Sequence, residues 1–234
     1  MKLSYVFPGG GVDAADESVD FAAIRELFEE AGVLLCKGQL DAADLRRLRD
    51  LACTPVALAR LLAAHGLQAD PSRLRFWARW VTPSVEPRRF DATFFVAALP
   101  AGQTPEIDGR EVIDARWMTP AEALQAHAEG DIRLPPPQIR MLFELAFALN
   151  EGDWDAALAR RLDRSARILP RFARLDGTRP ALLLPWDPDY WTAGTGESHP
   201  LPDGHPWAWG PSRFVLEHDS WRLRDAPARG CHLR

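Results

Sequence analysis

Residues 7–33 read FPGGGVDAADESVDFAAIRELFEEAGV, and the way charge is distributed in this stretch decides how the rest of the chain is read. Pro8 and the run Gly9-Gly10-Gly11 form a turn, because successive glycines reach backbone angles closed to other residues. Ser18 or Asp20 is placed to cap a helix. From Phe21 the apolar residues Ile24, Leu27, Phe28 and Ala31 recur at helical spacing, so at about 100° per residue they form one stripe. Glu26, Glu29 and Glu30 fall opposite that stripe and share one face, and Gly32 is a natural stop. Like charges three or four residues apart destabilise a helix by roughly 0.2–0.5 kcal/mol per pair. The last turn is also where the helix dipole favours cations. A helix built for stability alone does not carry this pattern. A divalent cation turns each of these repulsions into ligation.

With 234 residues the chain is long enough for one good-sized core or for a domain with an appendage. A net charge of -5 offers no general electrostatic case for nucleic acid or for an anionic membrane. Cys36, Cys53 and Cys231 are scattered and lack metal-ligand spacing, so they read as unpaired thiols in a reducing cytosol. No apolar run approaches the ~20 residues of a membrane span, and the start shows no signal-peptide pattern. The closing Arg-Gly-Cys-His-Leu-Arg is not a Ser-Lys-Leu type peroxisomal address, which leaves the cytoplasm as the expected compartment.

In chain order, residues 1–7 read as the end of a strand and 33–35 as a strand leaving the first helix. Residues 41–69 are helical in two pieces, with Thr54-Pro55 opening the second, and read as a helical insertion or lid. Strands are expected at 74–82 and 89–99, joined by 83–87 as a hairpin. A further strand is expected at 111–117, then a helix from Thr119-Pro120 to about Ala128, then amphipathic helices at 135–149 and 154–162. Beyond Ala166 prolines and tryptophans thicken, with short strands at 181–184 and 214–224. The expectation for this tail is an irregular wrap over the main core, with a small β appendage as the alternative. The domains are accordingly 1–150, carrying the 41–69 insertion, and 151–234, a helix with a Pro/Trp-rich extension.

Set out as a pattern, the opening stretch is Gly11, Glu17, then Arg25-Glu26-Leu27-Phe28-Glu29-Glu30-Ala31-Gly32-Val33, or G-x5-E-x7-R-E-U-x-E-E-x-G-U with U a bulky aliphatic residue. Every specified position is filled, and the segment resembles the Nudix box. The resemblance implies an α+β Nudix fold, a mixed β-sheet sandwiched between α-helices. It also implies an enzyme, a pyrophosphohydrolase acting on a nucleoside diphosphate linked to another moiety, with Mg²⁺ or Mn²⁺ as cofactor. The chemistry of the residues agrees. Cations neutralise the charge of a diphosphate and acidify a water for attack, and Mg²⁺ prefers the carboxylate oxygens that Glu26, Glu29 and Glu30 supply. By resemblance, Glu29 and Glu30 are the surest ligands, with Glu26 either a ligand or the base that takes the water's proton. Arg25 would orient Glu29 by a charged hydrogen bond, Glu17 would hold the loop through Arg25, and a backbone carbonyl near Gly10 or Gly11 would complete the metal shell.

Residues 6–10, 12–16 and 24–35 further resemble the peroxisomal coenzyme A diphosphatase branch of the Nudix enzymes, as do 77–83 and 88–95 and, more loosely, 117–120 and 134–138. That likeness implies coenzyme A or an acyl derivative as substrate, cleaved to 3′,5′-ADP and a 4′-phosphopantetheine fragment. Two departures keep other substrates open. The long insertion that mammalian members carry inside the box is absent, and the upstream motif of bacterial coenzyme A diphosphatases would lie before residue 1. ADP-ribose, NADH, a dinucleotide or an oxidised nucleotide is the alternative, and a Nudix-fold module that binds a nucleotide without cleaving it is another. Arg88 and Arg89 suit the 3′-phosphate of coenzyme A through bidentate contacts, or else are surface arginines pairing with Asp91 or Glu86. Glu111 is either one more carboxylate near the metals or an ordinary solvated residue. The tail tryptophans are expected to pack, and the six histidines show no ligand spacing. With few residues before the glycine turn, the first strand of a Nudix sheet is cut short or its edge is covered by another segment. An uncovered edge invites a second chain, and so a homodimer. A chain extended upstream by roughly 20–30 residues is then expected to melt higher.

Overall fold

The computed structural model describes residues 4–38, 42–51, 55–107, 109, 112–152, 154–159, 163–202 and 204–227. The chain divides into two compact units, Phe7–Arg75 with Phe95–Trp117 and Met1–Val6 with Phe76–Phe94 and Met118–Arg234.

The first unit is organised around α1 (Val19–Ala31). Ser18 caps it with extended backbone, its hydroxyl accepting from the Phe21 N–H at 3.1 Å, while Asp20 lies in the first turn, where the dipole favours an acid. Gly32 ends the helix at φ 67°, a left-handed angle that glycine adopts without the steric penalty of a side chain. The expected stripe is the core face: Ile24 and Phe28 are fully buried. They share one apolar cluster with Leu45 and Leu48 of α2 (Ala42–Leu51) and Leu58 and Leu62 of α3 (Pro55–Ala64). The helices expected within 41–69 are therefore there, and the described parts of them complete the core instead of covering it as a lid. Each such buried Leu, Ile or Phe contributes about 1.5–3 kcal/mol before conformational entropy is set against it.

Residues 33–35 are buried but are not a strand. The Gln103 side chain takes the place of a neighbouring strand: its Oε1 accepts from Leu34 N–H at 2.8 Å and its Nε2 donates to Leu34 O at 3.0 Å. The ladder starts only at β1 (Cys36–Lys37), paired antiparallel with β2 (Gln68–Ala69).

The second unit holds most of β3 (Arg75–Val81) and β4 (Asp91–Val96), neighbours in a two-stranded sheet as the hairpin expectation required. Isolated parallel bridges join Trp80 to Ile168 and Ser4 to Arg133. Helix α4 (Pro120–Glu129) opens on a capping box between Thr119 and Glu122, and is followed by α5 (Pro136–Glu151) and α6 (Trp154–Ala159).

Three expectations fail from residue 111 onward. The tail is not an irregular wrap: β5 (Arg171–Leu175), β6 (Arg179–Leu183), β7 (Arg213–Glu217) and β8 (Ser220–Arg224) form a four-stranded antiparallel meander in that order. The single strand expected at 214–224 is two, folded back at His218 and Asp219, both of which take positive φ as a tight hairpin turn requires. The strand expected at 111–117 is also absent from the described residues 112–117. Ile113 and Trp117, 63% and 82% exposed, have no sheet face to bury against.

The α+β class holds. Its named ladders whose register is given run antiparallel, and two isolated bridges are parallel. Among the described residues no helix is long and apolar enough to cross a membrane.

Candidate active site

Arg25, on the polar side of α1 yet only 6% exposed, is the hub of the first unit's charged cluster. Its Nε and Nη2 grip the two Asp16 oxygens at 3.0 and 2.8 Å, and Nη2 also donates to Gly11 O at 3.0 Å. Its Nη1 faces the other way, donating to Glu26 Oε1 at 2.8 Å and Glu29 Oε2 at 3.1 Å. One planar guanidinium thus ties the glycine turn to the helix and holds two of the three glutamates. The hydrogen bond from Arg25 keeps the Asp16 carboxyl below its usual range, and the same bond raises Arg25 above its own.

The turn engages the remaining glutamate directly. Gly9 N–H donates to Glu30 Oε2 at 3.0 Å. A Cβ added to Gly10 would lie 2.4 Å from Glu26 Oε1, so the Glu26 carboxylate fills the space that only a glycine leaves.

Glu29 differs from its neighbours. Its Oε1 is buried and has no hydrogen-bond partner, the sole carboxylate oxygen so placed among the described residues. Burial pushes its carboxyl above the usual range, with Arg25 pulling the other way. A buried anionic oxygen left unpaired is costly unless a cation joins it.

The donor set suits a hard divalent cation. Among the described residues no three His, Cys, Asp or Glu side chains converge as a ready-made cage. Mg²⁺ does not need one, since it takes one or two carboxylates and fills its shell with water and ligand phosphates.

The cation missing from the last turn of α1 is supplied from elsewhere in the unit. Arg49 of α2 donates to Glu29 O through Nε and Nη2 at 2.9 and 2.7 Å, and through Nη1 to Glu106 O at 2.6 Å. Glu106 N–H in turn donates to Ala31 O at 2.9 Å. Arg46 forks onto the Glu106 carboxylate at 3.1 and 2.6 Å.

Of the residues singled out in the sequence, Arg25, Glu26, Glu29, Glu30 and Gly11 come together here. Glu17 does not: it is exposed, and Asp16 is the residue that holds the loop through Arg25. An Asx turn explains the shift by one position, because Asp13 Oδ1 accepts from Ala15 N–H and Asp16 Oδ2 from Asp13 N–H, turning Asp16 inward. Arg88 and Arg89 belong to the second unit. There Arg88 stacks over the Phe90 ring at 5.0 Å, and Arg89 pairs with Glu197 at 2.8 Å, not with Asp91 or Glu86. Asp91 is taken by Arg79. Glu111 lies outside the described residues. Sequence reasoning missed Asp16, Arg49 and Gln103. Only Asp16 had a local signal, the Asp-x-x-Asp spacing of an Asx turn.

A family model, the NUDT19 Nudix domain, matches residues 19–145, more than half of the chain. The chain belongs to this Nudix family. The matched span takes in α1 and α2, and Arg49 with them. Acyl-coenzyme A diphosphatase NUDT19 of Xenopus laevis is 30% identical over 208 residues, covering 77% of this chain and 54% of that protein. The Homo sapiens protein of the same name is 32% identical over 173 residues, covering 66% and 46%. The putative nudix hydrolase 7 of Caenorhabditis elegans is 31% identical over 160 residues, covering 66% and 53%. The chain therefore spans about half the length of the curated relatives it matches. Among solved structures, the crystal structure of a NUDIX hydrolase from Alicyclobacillus acidocaldarius aligns with a TM-score of 0.50 at 29% identity, covering 59% of this chain and 65% of that one.

Proposed function

We propose that this Nudix protein is a metal-dependent pyrophosphohydrolase that cleaves the diphosphate of coenzyme A or an acyl-coenzyme A. The observation that carries the reading is the buried, unpartnered Glu29 oxygen on a helix whose other carboxylates gather at the same glycine turn. The names of the relatives from frog and human support the substrate class.

Glu29 and Glu30 would hold Mg²⁺ or Mn²⁺, with the Gly11 carbonyl a further candidate ligand. The bound ion neutralises phosphate charge and acidifies a water. Arg25 holds Glu26 and Glu29 through one guanidinium nitrogen, Nη1, which keeps the two carboxylates together. Gly9 fixes Glu30 through its N–H. Glu26 is either a further ligand or the base that accepts the water's proton. The water oxygen bonds to one phosphorus as the anhydride P–O bond breaks. One water is consumed, and 3′,5′-ADP and a 4′-phosphopantetheine fragment leave. Arg88 and Arg89 stay proposed for the 3′-phosphate, supported by their paired charge, and the scattered thiols support a reducing cytoplasm as the compartment.

A substrate panel tests the reading: coenzyme A, acetyl-coenzyme A, NADH and ADP-ribose, each with Mg²⁺ or Mn²⁺, with products resolved by chromatography. Preferred cleavage of the coenzyme A compounds is the expected result. Preference for NADH or ADP-ribose moves the substrate assignment, and no cleavage of any member overturns the hydrolase. Replacing Arg88 and Arg89 together by Ala should hurt coenzyme A more than 3′-dephospho-coenzyme A; equal losses remove their 3′-phosphate role.

A further inference from the structure

We propose that Arg49, on the α2 helix, is a positioning residue for the metal-ligating end of α1. The proposal rests on the reading of Glu29 as a metal ligand. The last carbonyls of a helix have no partner within it, and a glutamate anchored there swings with any fraying of the final turn. In this protein other groups take up those of Phe28, Ala31 and Glu29. Phe28 O accepts from Gly32 N–H, Ala31 O from Glu106 N–H, and Glu29 O from two nitrogens of Arg49 at 2.9 and 2.7 Å.

The Arg49 contact stands apart because it is charged and doubled, and because it falls on the backbone of the very residue whose side-chain oxygen lacks a partner. A fork of two hydrogen bonds fixes the direction of the Glu29 carbonyl as well as its position, and with it the origin of the Glu29 side chain. Its third nitrogen holds Glu106 O at 2.6 Å, which keeps the 106 segment against Ala31. The positive charge also sits at the helix end that favours it, beside carboxylates that repel one another. Arg46, one turn earlier on α2, forks onto the exposed Glu106 carboxylate, and among the described residues it has no hydrogen bond to Glu29. The two arginines therefore separate positioning of the ligand from simple attachment of α2.

The test measures Mn²⁺ binding to the full chain by electron paramagnetic resonance, with helix content and melting followed by circular dichroism. Arg49→Gln is expected to raise the Mn²⁺ Kd about tenfold, at the lower end of the 10–100-fold losses seen when a residue supporting a metal ligand is removed. The Mg²⁺ concentration for half-maximal turnover should rise with it, while KM for coenzyme A at saturating metal stays near wild type. Arg49→Lys, which keeps the charge and loses the fork, should give a smaller rise, and Arg46→Gln none. Should Arg49→Gln prove unfolded, Arg49→Lys carries the test by itself, and an unchanged Kd in that variant overturns the proposal. An equal loss in Arg46→Gln also overturns it, since Arg49 then only fastens α2. If wild type binds no Mn²⁺, the reading of Glu29 as a ligand fails and this proposal falls with it, a result distinct from wild-type binding that Arg49 does not affect.

Discussion

Arg25 in α1 and Arg140 in α5 are both buried guanidiniums with a glutamate four residues further on, and the two pairs end differently. Arg140 donates to Glu144 at 2.6 Å and to the carbonyls of Trp207, Trp209 and Pro211, and it lies over the rings of Trp186, Trp209 and Phe143. Arg25 is just as well supplied, but its glutamate is not: Glu29 gives one oxygen to Arg25 at 3.1 Å and keeps the other buried with no partner. The same i, i+4 motif is a closed ion pair in one unit and leaves a buried carboxylate oxygen open in the other. What separates structure from function here is not the presence of buried charge but whether its hydrogen-bonding capacity is used up.

Removing each glutamate's role should separate the two pairs most widely. Glu29→Gln is expected to cut turnover by about three powers of ten, since metal-borne charge stabilisation is worth several kcal/mol and each 1.36 kcal/mol is tenfold. Without metal it should melt no lower than wild type, because burial already disfavours the ionised carboxylate. A large fall in melting temperature would make Glu29 a structural residue like Glu144. Conversely, Arg140→Met should lower stability by about 3–5 kcal/mol by removing one partner of a buried ion pair, as urea titration would register. The Mn²⁺ affinity of the folded fraction should not change.

Gly10→Ala sharpens the contrast at the turn. Its Cβ would fall 2.4 Å from Glu26 Oε1, so the carboxylate must move. A displacement near 1 Å can cost about 10²-fold in turnover. Rates equal to wild type would show that the position of Glu26 is unimportant.

The smallest effect belongs to an exposed pair. Arg79 holds the Asp91 carboxyl below its usual range, chiefly by a direct hydrogen bond. A depressed carboxyl stabilises the fold above its unfolded pKa, and that share is lost as pH falls through the folded one. Asp91→Asn should therefore melt slightly lower than wild type at neutral pH, by at most about 1 kcal/mol for so exposed a pair. The gap should close on acidification below the ordinary aspartate range, and a gap that widened instead would reverse the assignment.

Much of the site was legible because it is local. The Glu26, Glu29 and Glu30 face, the Ile24 and Phe28 stripe, the Ser18 cap and the Gly32 stop all lie within one helix, where spacing alone decides neighbours. Arg49 and Gln103 were not legible, because each acts from a distance of 20 or 69 residues along the chain on a backbone group that carries no sequence signature. Glu17 and Asp16 were exchanged because the Asx turn at Asp13 decides which of two adjacent acids faces inward. In the tail, the density of proline and tryptophan hid a meander whose turn at Asp176-Gly177 is among the clearest hairpin signals a sequence offers. The strand expected at 111–117 failed for the opposite reason: its apolar residues suggested a buried face, yet Ile113 and Trp117 are exposed.

Whether the spare Glu29 oxygen ligates a metal is read by Mn²⁺ titration of wild type and Glu29→Gln, followed by electron paramagnetic resonance. Saturable binding to wild type and at least a tenfold weaker Kd in Glu29→Gln are expected, with both proteins folded by circular dichroism. Superimposable binding curves would contradict ligation by Glu29.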